Sequence, residues 1–141
     1  MVDENSISIF TDGGSRGNPG PSAVGVYAID SSGNILFQLG KRLGRATNNI
    51  AEYTAVLEAL TWLSSYGSSQ KISVNFYLDS QLVVSQINGL WKVKNPELLA
   101  LLYKIREKEA GIKAEIRYNH VPREQNKQAD KLVNMALDNK I

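Results

Sequence analysis

Cysteine is absent from the 141 residues, which excludes a disulfide framework, a thiolate zinc site and a thiol nucleophile. Histidine is nearly absent: His120 is the one imidazole. Charge of one sign is also lacking, since the net charge of +2 neither demands nor excludes nucleic acid as a partner. No segment approaches the apolar length of a membrane span. The start, Met-Val-Asp-Glu-Asn, has neither the basic region nor the apolar run of a secretory signal. Internal repeats, low-complexity tracts and linkers are missing too. What remains is an ordinary globular composition, 43% hydrophobic and 21% charged, in a chain of one-domain length over 1–141. A cytoplasmic protein acting without membrane or obligate protein partner, as a monomer, is the expectation.

The stretch that organises the chain is Ser8–Gly20. It begins as a strand, with Ile7 and Ile9 alternating against Ser8, and breaks at Asp12 into a run holding Gly13, Gly14, Gly17 and Gly20. A carboxylate followed by glycines can hold a cation and admit a bulky ligand. A long turn closed by an Asx bond at Asp12 is the plainer alternative. Ala23–Asp30 and Ile35–Leu43 read as two further strands in a meander. Asn49–Ser65 reads as a long helix, and the breaker Tyr66-Gly67-Ser68-Ser69 precedes a fourth strand marked by Ile72, Val74, Phe76 and Leu78. Ser80–Leu90 and Pro96–Ala110 are helices, the second started by Pro96 and ended by Gly111. Ala114–Val121 is a fifth strand and Asn126–Asn139 a last helix.

This order predicts an α/β fold with a five-stranded mixed sheet flanked by helices. The first three strands are antiparallel, and a right-handed crossover through the long helix sets the fourth parallel to the first, as is the fifth. Ligands in such sheets favour the crevice at the strand ends where the winding changes direction. Asp12 and Asp79 end the two strands that meet there. Glu52 lies on the core-facing stripe of the long helix with Val56, Ala59 and Leu63, and Asp130 lies on that of the last helix with Val133 and Leu137. Each acid has a plainer role. Glu52 fits a capping box with Asn49, Asp79 a helix cap, and Asp130 a dipole complement. Those roles do not explain why all four share one end of the sheet. Clustered carboxylates repel unless a positive group sits among them, and an oxygen donor set favours Mg²⁺ or Mn²⁺ over Zn²⁺.

Four stretches then resemble the ribonuclease HI family: Thr11–Gly20, Thr47–Glu52, Leu78–Gln81 and His120–Asp130, in family order and spread over nearly the whole chain. The resemblance implies endonucleolytic hydrolysis of the RNA strand of an RNA–DNA hybrid, leaving 5′-phosphate and 3′-hydroxyl ends. It assigns Asp12, Glu52, Asp79 and Asp130 as ligands of two Mg²⁺ ions, with Mn²⁺ as substitute, about 3.5–4 Å apart in the general two-metal scheme. His120 matches a loop histidine that assists proton transfer or product release, a role that suits an imidazole. Gly13, Ser15, Glu52 and Gln81 would face the 2′-hydroxyls that distinguish RNA from DNA. Asn18, Thr47, Asn48 and Asn49 would lie toward the DNA strand, although turn formation and helix capping would also explain them. Trp91, followed by Lys92 and Lys94, either grips the hybrid or belongs to the core. Some bacterial members insert a basic helix where only Trp91–Asn95 separates two helices here, so a compact form without that protrusion is expected. No role attaches to Arg16. The competing classes are a non-catalytic nucleic-acid binder, for which clustered negative charge near phosphates is a liability, an actin-like phosphotransferase, and another nuclease of the same fold.

Overall fold

The computed structural model describes residues 5–67 and 71–141. Met1–Glu4 and the Ser68-Ser69 part of the breaker lie outside the described residues. The elements run β1 (Ser6–Ser15), β2 (Gly20–Asp30), β3 (Ile35–Ala46), α1 (Asn48–Tyr66), β4 (Ile72–Leu78), α2 (Gln81–Ile87), α3 (Pro96–Ala110), β5 (Ala114–His120) and α4 (Lys127–Leu137). One five-stranded sheet has the order β3-β2-β1-β4-β5. Its first three strands pair antiparallel, and β4 is parallel to both β1 and β5. This is the mixed sheet expected from the pattern of strands and helices. None of the helices among the described residues is long and apolar enough to cross a membrane.

Alternation along the strands assigns the two faces. Ile7 and Ile9 of β1, Val26 and Ala28 of β2, and Val74, Phe76 and Leu78 of β4 form one core with Tyr53, Val56, Leu60 and Leu63 of α1, joined by Leu98 and Ile105 of α3. The opposite face carries α4 through Ala23, Val133 and Ala136. Helix starts follow local side chains: Thr47 accepts from Ile50 N at 3.2 Å, Ser80 from Val83 N at 3.3 Å, and Asn95 from Glu97 N at 2.8 Å. Pro96 then opens α3 and Gly111 closes it, as expected.

The strand that carries Asp12 differs from its sequence reading. Pairing with β2 continues unbroken from Ile7 to Ser15, because Gly13 and Gly14 sit opposite Val24 and Ala23. Pairing with β4 stops at Phe10. Asp12 therefore lies inside a strand but two residues beyond its last pairing with the parallel partner, where the ladder on one side has run out. The glycines extend β1 because a paired neighbour supplies the regularity that their own propensity lacks. β2 likewise starts at Gly20 and β3 runs on to Ala46. The last helix is shorter than expected and follows a single 3-10 turn at Arg123–Gln125.

Helix α4 lies on a notch of two glycines. Gly25 and Gly40 are partners in the β2–β3 register. A Cβ on Gly25 would come within 2.2 Å of Ala129 O, and one on Gly40 within 2.7 Å of Leu132 O. Bare backbone thus sets how deeply α4 sits, and with it the height of Asp130. Gly25→Ala should lower stability by about 1–3 kcal/mol, the range for overpacking. Gly111→Ala, whose Cβ would only reach 3.7 Å from Lys108 O, should leave the melting temperature nearly unchanged. Equal melting temperatures for the two variants would disprove the notch.

Candidate active site

Three elements bring three carboxylates together. Asp12 projects from β1, Asp79 follows β4 directly, and Glu52 comes from the second turn of α1. A ligand oxygen from each lies within 4.8 Å of the others. Glu52 reaches this point because Gly13 has no side chain. A Cβ there would stand 2.2 Å from Ala51 C and 2.4 Å from Glu52 N, so the α1 backbone rests directly on β1. The Gly13 N–H donates to Glu52 Oε1 at 3.1 Å, while Glu52 Oε2 is buried without a partner. Asp130, in the first turn of α4, faces the same cleft, where its charge acts on Asp12. The plainer role survives only for Asp130, since Thr47 and Ser80 do the capping.

The cluster is electrostatically costly. Burial raises the Asp12 carboxyl to about 7, aided by the charges of Asp79 and Asp130 and opposed by a hydrogen bond with Glu52. Burial, and then the neighbouring Asp12, pushes Glu52 well above the ordinary carboxylate range. Both groups are almost out of water, at 8% and 6% exposure. Acids normally avoid such sites. The donor set consists of oxygens only, and the one orphaned atom at its centre, Glu52 Oε2, is a carboxylate oxygen. A hard divalent cation fits these residues.

The acids lie in a cleft of about 500 Å³ that also exposes Gly13, Ser15, Asn48 and Asn49. Ser15 N donates to Asn48 Oδ1 at 2.9 Å and Asn48 N to Asn18 Oδ1 at 3.0 Å, so the turn after β1 is tied to the start of α1. Asn18 and Thr47 therefore brace the cleft rather than line it. Gln81 is exposed at the start of α2, and Trp91, at 47% exposure, is not a core residue. His120 is exposed opposite Leu78 at the end of β5 and is not among the cleft residues.

Arg123 is in the cleft wall, and sequence reasoning passed it over. Its Nη2 lies 3.9 Å from Asp130 Oδ1. The signal was available, since Arg123 lies seven residues before Asp130, but loop residues carry no periodicity to say which way they point. Arg16, which had no role, bridges to Asp138 at 2.7 Å and so fastens the turn after β1 to the end of α4.

A family model described as reverse transcriptase-like matches residues 10–136. Ribonuclease HI of Halobacterium salinarum is 40% identical over 132 residues, covering 94% of this chain, and the chain spans 64% of that protein's length. Ribonuclease H of Clostridium botulinum is 32% identical over 148 residues, covering 94% of this chain and 95% of the relative. Among solved structures, LC11-RNase H1 in complex with an RNA/DNA hybrid is 41% identical, with a TM-score of 0.90 over 95% of this chain and 98% of that one.

The raised acids fix the sign of a pH effect on the metal-free protein. A carboxyl near 3.8 in the unfolded chain and about 7 in the folded one contributes stability that is fully present below the lower value and is lost as pH rises through the upper one. In chelator, stability should therefore fall from pH 5 to pH 8, and Asp12→Asn should remove much of that fall. The gap between the two proteins should widen by about 2 kcal/mol over this interval. Parallel stability curves by thermal or urea unfolding would show that Asp12 is not desolvated as described.

Proposed function

The chain belongs to the ribonuclease H family, and from that premise we propose that it hydrolyses the RNA strand of RNA–DNA hybrids as a magnesium-dependent endonuclease, leaving 5′-phosphate and 3′-hydroxyl ends. The observation that carries the reading is the meeting of Asp12, Glu52 and Asp79 within 4.8 Å, with a buried Glu52 oxygen unpartnered. Asp12, Glu52, Asp79 and Asp130 would hold two Mg²⁺ ions, or Mn²⁺ in their place. When bound, the ions supply Lewis-acid stabilisation of charge on phosphate and make water a better nucleophile.

The chain's own residues do the rest. Water adds to phosphorus and the P–O3′ bond breaks, so the phosphate stays on the 5′ end of the downstream fragment while the 3′ oxygen departs and takes a proton. His120, exposed at the end of β5, is assigned that proton transfer. Arg123 offers a guanidinium to phosphate oxygens, a geometry suited to bidentate contact. Ser15, Gly13, Glu52 and Gln81 read the 2′-hydroxyls, and Asn48 and Asn49, braced by Asn18 and Thr47, serve the DNA strand. The exposed ring of Trp91, beside Lys92 and Lys94, grips the duplex edge. A binder without catalysis would gain nothing from four acids facing phosphates.

The test is digestion of a labelled hybrid beside duplex RNA, duplex DNA and single strands, with Mg²⁺, Mn²⁺ or chelator. Cleavage confined to the RNA of the hybrid, and abolished by chelator, is expected. Asp12→Asn and Asp79→Asn should each lose nearly all turnover while remaining folded, and retention of either activity would remove that residue from the reaction. Arg123→Ala should lower kcat/KM by about 10–100-fold, the loss of one charge-assisted phosphate contact. His120→Ala should slow turnover by about 100-fold or less. An unchanged rate across pH for the histidine variant would assign proton transfer to another group.

A further inference from the structure

We propose that Asn126 is a positioning residue that sets the relative placement of Asp12, Asp79 and Asp130, an inference that rests on the metal-dependent reading above. Its side chain is 1% exposed, yet it is not held as a helix cap normally is. Asn126 stands at the N-cap position of α4 with no side-chain cap hydrogen bond, although asparagine is among the best residues for one. The amide turns inward instead. Its Nδ2 donates to Thr11 O at 2.9 Å and to Asp79 Oδ2 at 3.2 Å. Its backbone oxygen accepts from Asp130 N at 3.1 Å.

One residue therefore touches three of the elements that bear acids: β1 at the residue before Asp12, the segment after β4 at Asp79 itself, and the first turn of α4. The orientation of the amide follows from chemistry. Both partners are acceptors, so only the NH₂ group can face them. This leaves Asn126 Oδ1 buried and unpartnered, an arrangement that costs about 1–3 kcal/mol and calls for an explanation. Packing alone would favour an apolar side chain. Retaining a half-satisfied amide makes sense if the donor pair is what the site requires, since one hydrogen bond limits the rotation of Asp79 and the other fixes α4 against β1.

Groups that orient metal ligands change metal affinity by about 10–100-fold when removed. The test measures Mn²⁺ binding to Asn126→Ala by calorimetry without nucleic acid, together with hybrid hydrolysis over a range of Mg²⁺ concentrations. Mn²⁺ affinity should fall by about 10–100-fold. Turnover should fall at low Mg²⁺ and recover as Mg²⁺ rises, with KM for the hybrid changed by less than about twofold, because Asn126 does not face the strand. Ile105→Val, a buried change in α3, supplies a destabilised control whose Mn²⁺ affinity should match the parent. If the alanine variant does not fold, Asn126→Ser, which keeps one hydroxyl donor, takes its place in the same measurements. Unaltered Mn²⁺ affinity in the position-126 variant, or an equal loss in Ile105→Val, would overturn the proposal. Weakened Mn²⁺ binding in a protein whose parent cleaves no hybrid would leave the positioning role standing and refute the nuclease reading.

Discussion

The contact between the α1 backbone and β1 at Gly13 governs the geometry of the acid cluster. With a Cβ 2.2–2.4 Å from the atoms of Ala51 and Glu52, no other residue fits without pushing the helix away. The contact delivers Glu52 to the Gly13 N–H and buries its second oxygen. Desolvation follows directly, and with it the raised pKa of Glu52 and of Asp12. The apolar stripe of α1, from Ala51 through Val56 and Leu60 to Leu63, supplies the force that holds this unfavourable placement, since hydrophobic burial is indifferent to one charged residue at the helix end. A stable core thus pins a destabilising site.

The second helix to contribute an acid uses a similar device on the opposite face. Gly25 and Gly40 let α4 settle against β2 and β3, and Asn126 joins its start to Thr11 and Asp79. The two faces of the sheet meet where the β1–β4 pairing stops two residues short of Asp12. At that edge, side chains from both faces can reach one another around the missing strand. The antiparallel neighbour β2 keeps β1 extended through the gap, so Asp12 sits on a rigid strand rather than a loop. Precise placement of charged ligands needs such support, since strands and helices hold side chains more closely than loops do.

Topology and the four acids were legible because they rest on periodicity and on strand order. The alternation of Ile7 and Ile9, or of Ile72, Val74, Phe76 and Leu78, reports burial on a period of two, and the structure buries each of these residues. Glu52 and Asp130 were visible as charges on apolar stripes. The extension of β1 through Gly13–Ser15 was not, because glycine propensity signals a break and only the partner strand β2 overrides it. The capping box at Asn49 failed for a related reason: the carboxylate that would reach back locally finds a donor 39 residues away. His120 and Arg123 illustrate the limit at loops. Both belong to one short polar run, and which of them faces the acids depends on the turn at Arg123–Gln125, which leaves no periodic trace.

The charge balance of the cleft constrains the order of events at it. Four acids and two arginines line its walls, but Arg16 is engaged with Asp138, which leaves Arg123 as the cation nearest the acids. A polyanionic strand approaching the metal-free cleft would meet net negative charge in a poorly screened setting, where like charges repel most strongly. The protein's slight positive excess lies elsewhere, on residues such as Arg42 and Arg45 of β3 and Lys92 and Lys94 after α2. Long-range attraction can therefore bring a nucleic acid to the flanks while the cleft itself repels it. Divalent cations held by these acids would reverse that local sign, and in doing so would relieve the same carboxylates that burial has desolvated. On the proposed reading, occupancy by cations and acceptance of phosphate would be coupled through the desolvated carboxylates of Asp12 and Glu52.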